Sequence, residues 1–296
     1  MMIEYKEMKQ MSIGIKEDRQ EMKTNDYQVF YNTNNPVNTD YHFHDFYEIL
    51  VFISGNVNYI VEDKTYSLRP GDIILTNNSE LHRPIILDNS SYKRYITWIN
   101  PKFVQKIKMY HTEIDISTCF NSSSKMHYNL LKPDNETLKE IINILNKLLV
   151  PVDQAKFGDE LIHQCLLLEL LINLNQAHLN TTITPDDPII LNPKIRDIVY
   201  HINQHLTEPL TLDDLSNKFY ISKFHLTRLF KEYTGLSLHQ FILKKRLILS
   251  KKLLSDGATP YQACIDSGFN DYPHFSRCFK NNYDLSPRAY IKQIEN

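Results

Sequence analysis

Apolar and polar positions change period twice along the 296-residue chain, and each change marks a different kind of element. Between Tyr27 and about Ile99, short runs rich in β-branched and aromatic residues recur at 47–53, 57–61, 73–75 and 95–99. Turn-forming stretches at 54–56, 62–64, 69–72 and 88–90 part them. Many short strands at even spacing predict an antiparallel barrel or sandwich. From Asn135 to Val150 and from Phe157 to Leu179 the period lengthens to that of a helix. Leu138, Ile141, Ile142, Leu145, Leu148 and Leu149 make one stripe, and Leu161, Cys165, Leu168, Ile172 and Leu179 another. The second helix is apolar on several sides, and excess apolar surface is usually covered by a partner. It therefore reads as a dimer seam, with a simple cap on the barrel as the alternative. Pro185, Asp186, Asp187 and Pro188 mark an extended linker, and Asn192-Pro193 opens a new helix as N-cap and first-turn proline. The polar residues 1–26 read as an arm.

The helical pattern that follows contains a repeat. His225-Leu226-Thr227-Arg228-Leu229-Phe230-Lys231 returns 49 positions later as His274-Phe275-Ser276-Arg277-Cys278-Phe279-Lys280. Each copy follows a helix-start residue, Ser222 or Asp271, whose side-chain oxygen suits the unpaired N–H groups of a first turn. Leu226, Leu229, Phe230 and Tyr233 share one face of the first copy, which pushes His225, Thr227, Arg228 and Lys231 onto the opposite one. The second copy is expected to bury Phe275, Cys278 and Phe279 and to expose His274, Ser276, Arg277 and Lys280. Two such helices suit two successive major grooves. A plain bundle needs the apolar stripe but not a repeated exposed Arg and Lys.

These lines, with Tyr233-Thr234-Gly235, Arg246, Gly268-Phe269-Asn270-Asp271 and Ser286-Pro287, resemble the DNA-binding domain of the AraC/XylS transcription regulators. Asp284 stands where that family usually has glycine, and Ser216 and Cys264 where it usually has alanine. The resemblance implies two helix-turn-helix units, about 211–233 and 260–283, joined by a long helix within a domain at 194–296. It also implies contacts to double-stranded promoter DNA from Lys223, Phe224, His225, Thr227, Arg228, Lys231, His274, Ser276, Arg277 and Lys280.

Nearer the N-terminus, His42-Phe43-His44-Asp45-Phe46-Tyr47-Glu48 with Gly55, then Gly71 and His82, resembles the two motifs of cupin barrels. Asn77, Ser79 and Ile86 depart from the second motif. The likeness implies that His42, His44, Glu48 and His82 converge on a divalent transition metal, and imidazole with carboxylate suits Fe, Mn, Ni or Zn. The alternative is that the same residues line an organic effector's pocket or make structural hydrogen bonds. Phe46, Tyr59, Tyr95 and Trp98 are expected near that face, so the candidate effector set is His42, His44, Glu48, His82, Tyr95 and Trp98. The expected organisation is a cupin-like sensing barrel at 27–132, a helical dimerising segment at 133–180, a linker at 181–193 and the all-α DNA-binding domain, an α+β two-domain chain.

Charge sharpens this division. Residues 194–296 hold 15 Lys and Arg against 10 Asp and Glu, a net of +5, while the rest holds 18 against 25, a net of −7. A basic module fused to an acidic one fits DNA binding by the C-terminal part. Cys119, Cys165, Cys264 and Cys278 lie far apart without CxxC spacing, as in a reducing compartment. The charged stretch Met1 to Gln20 is unlike a signal peptide, so a cytoplasmic protein away from membranes is expected. The function that follows is a non-enzymatic, homodimeric transcription regulator, more an activator contacting RNA polymerase than a repressor. Its effector is a small molecule, with carbohydrate a frequent theme among the regulators it resembles. Two alternatives remain: a metal-dependent cupin enzyme, and an effector-independent regulator answering to a protein partner.

Overall fold

The run at 47–53 lacks the polar alternation of a half-exposed strand because it is covered on both faces. In the computed structural model, which describes residue 22 and residues 26–34, 41–110, 113–120, 128–182 and 189–295, it forms strand β2 (Tyr47–Ser54). The other strands are β1 (Tyr27–Asn32), β3 (Val57–Val61), β4 (Lys64–Ser67), β5 (Ile73–Thr76), β6 (His82–Ile86), β7 (Lys93–Ile99), β8 (Leu130–Leu131) and β9 (Ile189–Ile190). They pair antiparallel as a five-stranded sheet, β1-β7-β2-β5-β8, and a four-stranded sheet, β6-β3-β4-β9.

The period-2 geometry of the strands builds the layers. Leu50 and Phe52 of β2 meet Val57, Tyr59 and Val61 of β3 in the core between the sheets. Ile49 and Val51 turn the other way, under helices α1 (Pro101–Tyr110), α2 (Asn135–Leu148) and α3 (Asp159–Asn180). Of the antiparallel barrel or sandwich expected, no closed barrel forms: among the described residues the strands make two separate sheets. Alternation in single strands does not distinguish a closed sheet from two stacked ones, and α1 and a 3-10 turn at Thr118–Phe120 were not foreseen.

Of the two helical stripes, Ile141, Leu145 and Leu148 of α2 are buried as expected. In α3 the core-facing residues are instead Leu167, Leu170, Leu171, Leu174 and Ala177. Leu161, Ile172 and Leu179 of the expected stripe are 63%, 49% and 77% exposed. Cys165 is exposed too, while Cys119 and Cys264 are buried and Cys278 is half-buried. Burial pushes the Cys119 thiol up to about 12, which removes it as a reactive thiolate. No helix among the described residues is long and apolar enough to cross a membrane. The expected N-terminal arm, apart from residues 22 and 26, and residues 183–188 of the expected linker lie outside the described residues. Ile189 and Ile190 add a short strand to the edge of β4.

The C-terminal domain is helical: α4 (Pro193–Gln204), α5 (Leu212–Lys218), α6 (Lys223–Thr234), α7 (Leu238–Ser255), α8 (Pro260–Asp266), α9 (Tyr272–Tyr283) and α10 (Pro287–Glu295). Asn192 caps α4 by accepting from the N–H groups of Lys194 and Ile195. The α5–α6 and α8–α9 pairs are two versions of one turn. The Ser216 hydroxyl donates to the Ile221 carbonyl at 2.8 Å, and the Cys264 thiol reaches the Phe269 carbonyl at 3.8 Å. Tyr220 and Gly268 hold the same positive-φ bend, at 50° and 87°. Up to that bend the units are offset by 48 positions; beyond it Asn270 is inserted and the offset becomes 49. Arg246 of α7 ties the α4–α5 loop down through the Leu206 and Glu208 carbonyls, at 3.0 and 2.8 Å.

Candidate nucleic-acid interface and buried histidine cluster

Helices α6 and α9 start alike. Ser222 accepts from the N–H of His225, and Asp271 from the N–H of His274, so each helix is capped three residues before its repeated motif. Leu226 and Phe230 of α6, and Phe275 and Phe279 of α9, are fully buried and set the rotation of each helix. That rotation leaves Lys223, Phe224, His225, Thr227, Arg228 and Lys231 exposed on α6, and His274, Arg277 and Lys280 on α9, with Ser276 half-buried. Phe224 is 81% exposed, an apolar ring that nothing among the described residues covers. The Lys223 ammonium lies 2.6 Å from Asp213 of α5, an exposed pair that screening keeps weak and that a phosphate can displace. Each face offers an Arg beside small polar groups, the chemistry that reads base edges and phosphates.

The second site lies inside the β-rich domain, at one end of the space between the sheets. Glu48 is the second residue of β2, His82 the first of β6, and His42 is bridged backbone to backbone with His82. His44, Glu48 and His82 are all buried, and their donor atoms lie within 4.8 Å of one another. His44 Nε2 stands 3.4 Å from one Glu48 oxygen and His82 Nε2 3.8 Å from the other. The His42 ring packs edge-on against His82, with centroids 4.5 Å apart. Thus three of the four residues that the cupin likeness implies present converging donors, and the fourth adjoins them.

Glu48 also accepts from the Tyr59 hydroxyl at 3.0 Å and from the Trp98 ring N–H at 2.9 Å. Burial alone would raise its carboxyl. The His44 ring, with His82 and His42, outweighs that and holds it well below the usual carboxylate range. Burial, reinforced by His42 and His44, pulls His82 well below the usual imidazole value. Phe46 stacks on His44 at 3.9 Å and touches Trp98. Tyr95, expected in this set, is not there. It pairs with Val51 on the opposite face of the sheet and donates to Asn146 of α2 at 2.8 Å, whereas Trp98 pairs with Glu48 and shares its face.

A third feature had no local signal in the sequence. Tyr41, Ile60 and Leu81 of the β-rich domain share one apolar cluster with Ile198, Leu226, Phe230 and Phe241 of the helical domain. The Lys245 ammonium of α7 is buried between the domains, 2.6 Å from Glu62 and 2.8 Å from the Ser79 carbonyl, while Asn203 of α4 holds the other Glu62 oxygen at 2.9 Å. Glu80 lies beside them, its carboxyl pushed up to about 7 by burial and by Glu62. A cleft of about 890 Å³ opens along this seam, with Glu62, Glu80, Asn203, Lys245 and Lys252 on its walls and none of the histidine cluster.

Comparison with known proteins finds two matched regions. Residues 29–171 match the AraC-like ligand binding domain and residues 215–293 a helix-turn-helix domain. The HTH-type transcriptional regulator YbfI of Bacillus subtilis is 26% identical over 235 residues, covering 79% of this chain and 80% of its own. The HTH-type transcriptional activator RhaS of Escherichia fergusonii is 23% identical over 253 residues, covering 83% and 85%. Among solved structures, apo ToxT K231A of Vibrio cholerae aligns over 92% of this chain and 98% of its own, at 17% identity and a TM-score of 0.39.

Proposed function

The chain belongs to the AraC/XylS family of transcription regulators, and on that premise we propose that it binds a specific promoter duplex through α6 and α9 under the control of its β-rich domain. The observation that carries the proposal is the pair of matched, exposed helix faces bearing Arg228 and Arg277. The two guanidiniums take base edges or phosphates. His225, Thr227, His274 and Ser276 add polar contacts, Phe224 packs on an apolar group in the groove, and Lys223, Lys231 and Lys280 neutralise phosphates.

Residues 27–132 sense an effector, 133–180 dimerise the chain through the outward stripe of α3, and 181–193 join these to the DNA-binding residues 194–296. The reading extends to activation in the cytoplasm, with a surface offered to RNA polymerase, by analogy with the activator RhaS. The experiment is selection of duplexes from a random-sequence library by the wild-type chain, followed by titration of the selected duplex. Arg228→Ala and Arg277→Ala are each expected to weaken binding by about 1–3 kcal/mol. Wild-type affinity in both variants, or failure to select any duplex, would overturn the assignment.

A further inference from the structure

The end of α4 carries a second group of metal-ligating side chains, far in sequence from the histidine cluster of the β-rich domain. His201 lies in the last turn of the helix, His205 caps it, and Glu208 follows in the loop to α5. Histidines four apart on a helix point to the same side and can share one ion. Here the two rings lie 4.2 Å apart between centroids, tilted by 44°. The His205 and Glu208 side chains are 40% and 62% exposed, so an ion reaches them from solvent.

Each ring is held by a neighbour. His205 Nδ1 lies 2.8 Å from a Glu208 carboxylate oxygen. A carboxylate only accepts, so Nδ1 carries a proton whatever the charge of the ring, and Nε2 is the nitrogen left for another partner. A carboxylate on the far nitrogen is also a common outer support of a ligating histidine. Phe219, the C-cap of α5, packs edge-on against the His201 ring at 5.7 Å and restricts its rotation. Among the described residues no hydrogen bond engages either His201 nitrogen or His205 Nε2.

The surroundings suit a cation. The last carbonyls of α4 gather partial negative charge at its cap, and Glu208 adds a full one. The nearby Lys218 ammonium opposes them, but it is exposed and screened by salt. Two imidazoles bound to one ion at about 2.0–2.1 Å stand about 4.5 Å apart between ring centres at a right angle, and about 5.2 Å apart at the tetrahedral angle. The observed 4.2 Å is close to the right-angled spacing, which belongs to square-planar or octahedral ions rather than to tetrahedral zinc.

We propose that His201 and His205 chelate one divalent late first-row transition cation, Cu²⁺ or Ni²⁺ in preference to Zn²⁺, with Glu208 holding His205 in place. The site depends neither on the promoter reading nor on the buried histidines. Because the ion joins residues one turn apart, it clamps the end of α4 just before the loop that Arg246 ties to α7.

The full-length, untagged chain is stripped with chelator and titrated calorimetrically with Cu²⁺, Ni²⁺ and Zn²⁺. The double variant His201→Gln with His205→Gln is titrated beside it, its fold checked by far-ultraviolet circular dichroism, since partly exposed substitutions scarcely alter a fold. The wild type is expected to bind one equivalent more than the double variant, Cu²⁺ most tightly and Zn²⁺ less tightly than Ni²⁺. Electron paramagnetic resonance of that Cu²⁺ is expected to show two imidazole nitrogens. Ni²⁺ is expected to raise the thermal midpoint of the wild type and not of the double variant. Glu208→Ala keeps both ligands and is expected to weaken binding about tenfold. Equal stoichiometry in the wild type and the double variant overturns the site, because an ion held by the buried histidines alone would persist in both. A lost equivalent whose resonance shows a single imidazole overturns the chelate.

Discussion

Gly268 and Tyr220 occupy the same bend of the two helix-turn-helix units and meet different neighbours there. At Tyr220 the bend faces solvent and the strain of a positive φ is tolerated in an exposed side chain. At Gly268 a Cβ would lie 2.6 Å from the Leu206 carbonyl oxygen and 2.9 Å from Arg246 Nε, where the guanidinium ties down the α4–α5 loop. Gly268→Ala is therefore expected to cost about 1–3 kcal/mol in urea unfolding, since backbone strain adds to a displaced hydrogen bond. A change within experimental error would show that the loop yields freely. At this scale the sequence was legible where spacing alone decides. The Ser222 and Asp271 caps and the exposed faces follow from local capping chemistry and helix period, whereas the buried cluster was implied by the likeness of the HxHxxxE line to cupins. Tyr95 was misplaced against a signal the sequence does carry: it lies three residues from Trp98, and an odd spacing within one continuous strand puts two side chains on opposite faces.

Helix α3 shows what periodicity leaves open in an element. Its sequence is apolar on several sides, so it offers two stripes, and only the neighbours determine which one turns inward. The core took Leu167, Leu170, Leu171 and Leu174, with Leu168 packed half-buried against it, leaving Leu161, Ile172 and Leu179 along the outside. No other described residue covers this row, which makes it an exposed apolar face. If it is the dimer seam proposed above, Leu161→Lys combined with Ile172→Lys should yield monomers in sedimentation equilibrium with an unchanged far-ultraviolet circular dichroism spectrum, because substitutions exposed on the subunit scarcely alter its fold. Dimers persisting in that variant would place the seam elsewhere.

On the scale of the molecule, the two domains share one apolar cluster with a buried ion pair at its edge. Lys245 and Glu62 lie 183 residues apart, and nothing near either in sequence marks them as partners. Removing one member of a buried pair leaves the other uncompensated, so Lys245→Ala is expected to destabilise the docked chain by about 3–5 kcal/mol. Calorimetry should show one thermal transition becoming two as the domains separate. Lys251→Ala removes a pair whose Asp45 carboxylate is 58% exposed, and should cost no more than about 1 kcal/mol. Equal effects of the two substitutions would mean that the apolar cluster alone holds the domains together.

The inserted residue at Asn270 has a consequence for the promoter. The two helix-turn-helix units are copies, but the insertion changes how the second recognition helix leaves its turn. Their first turns differ as well, Lys223-Phe224 in one and Tyr272-Pro273 in the other. On the function proposed above, a single subunit lays two unequal readers along the duplex in a fixed order. The stretch it covers has a head and a tail, so a binding site reversed end for end is a different site. If the proposed reading holds, orientation relative to the start of transcription is set by one chain alone.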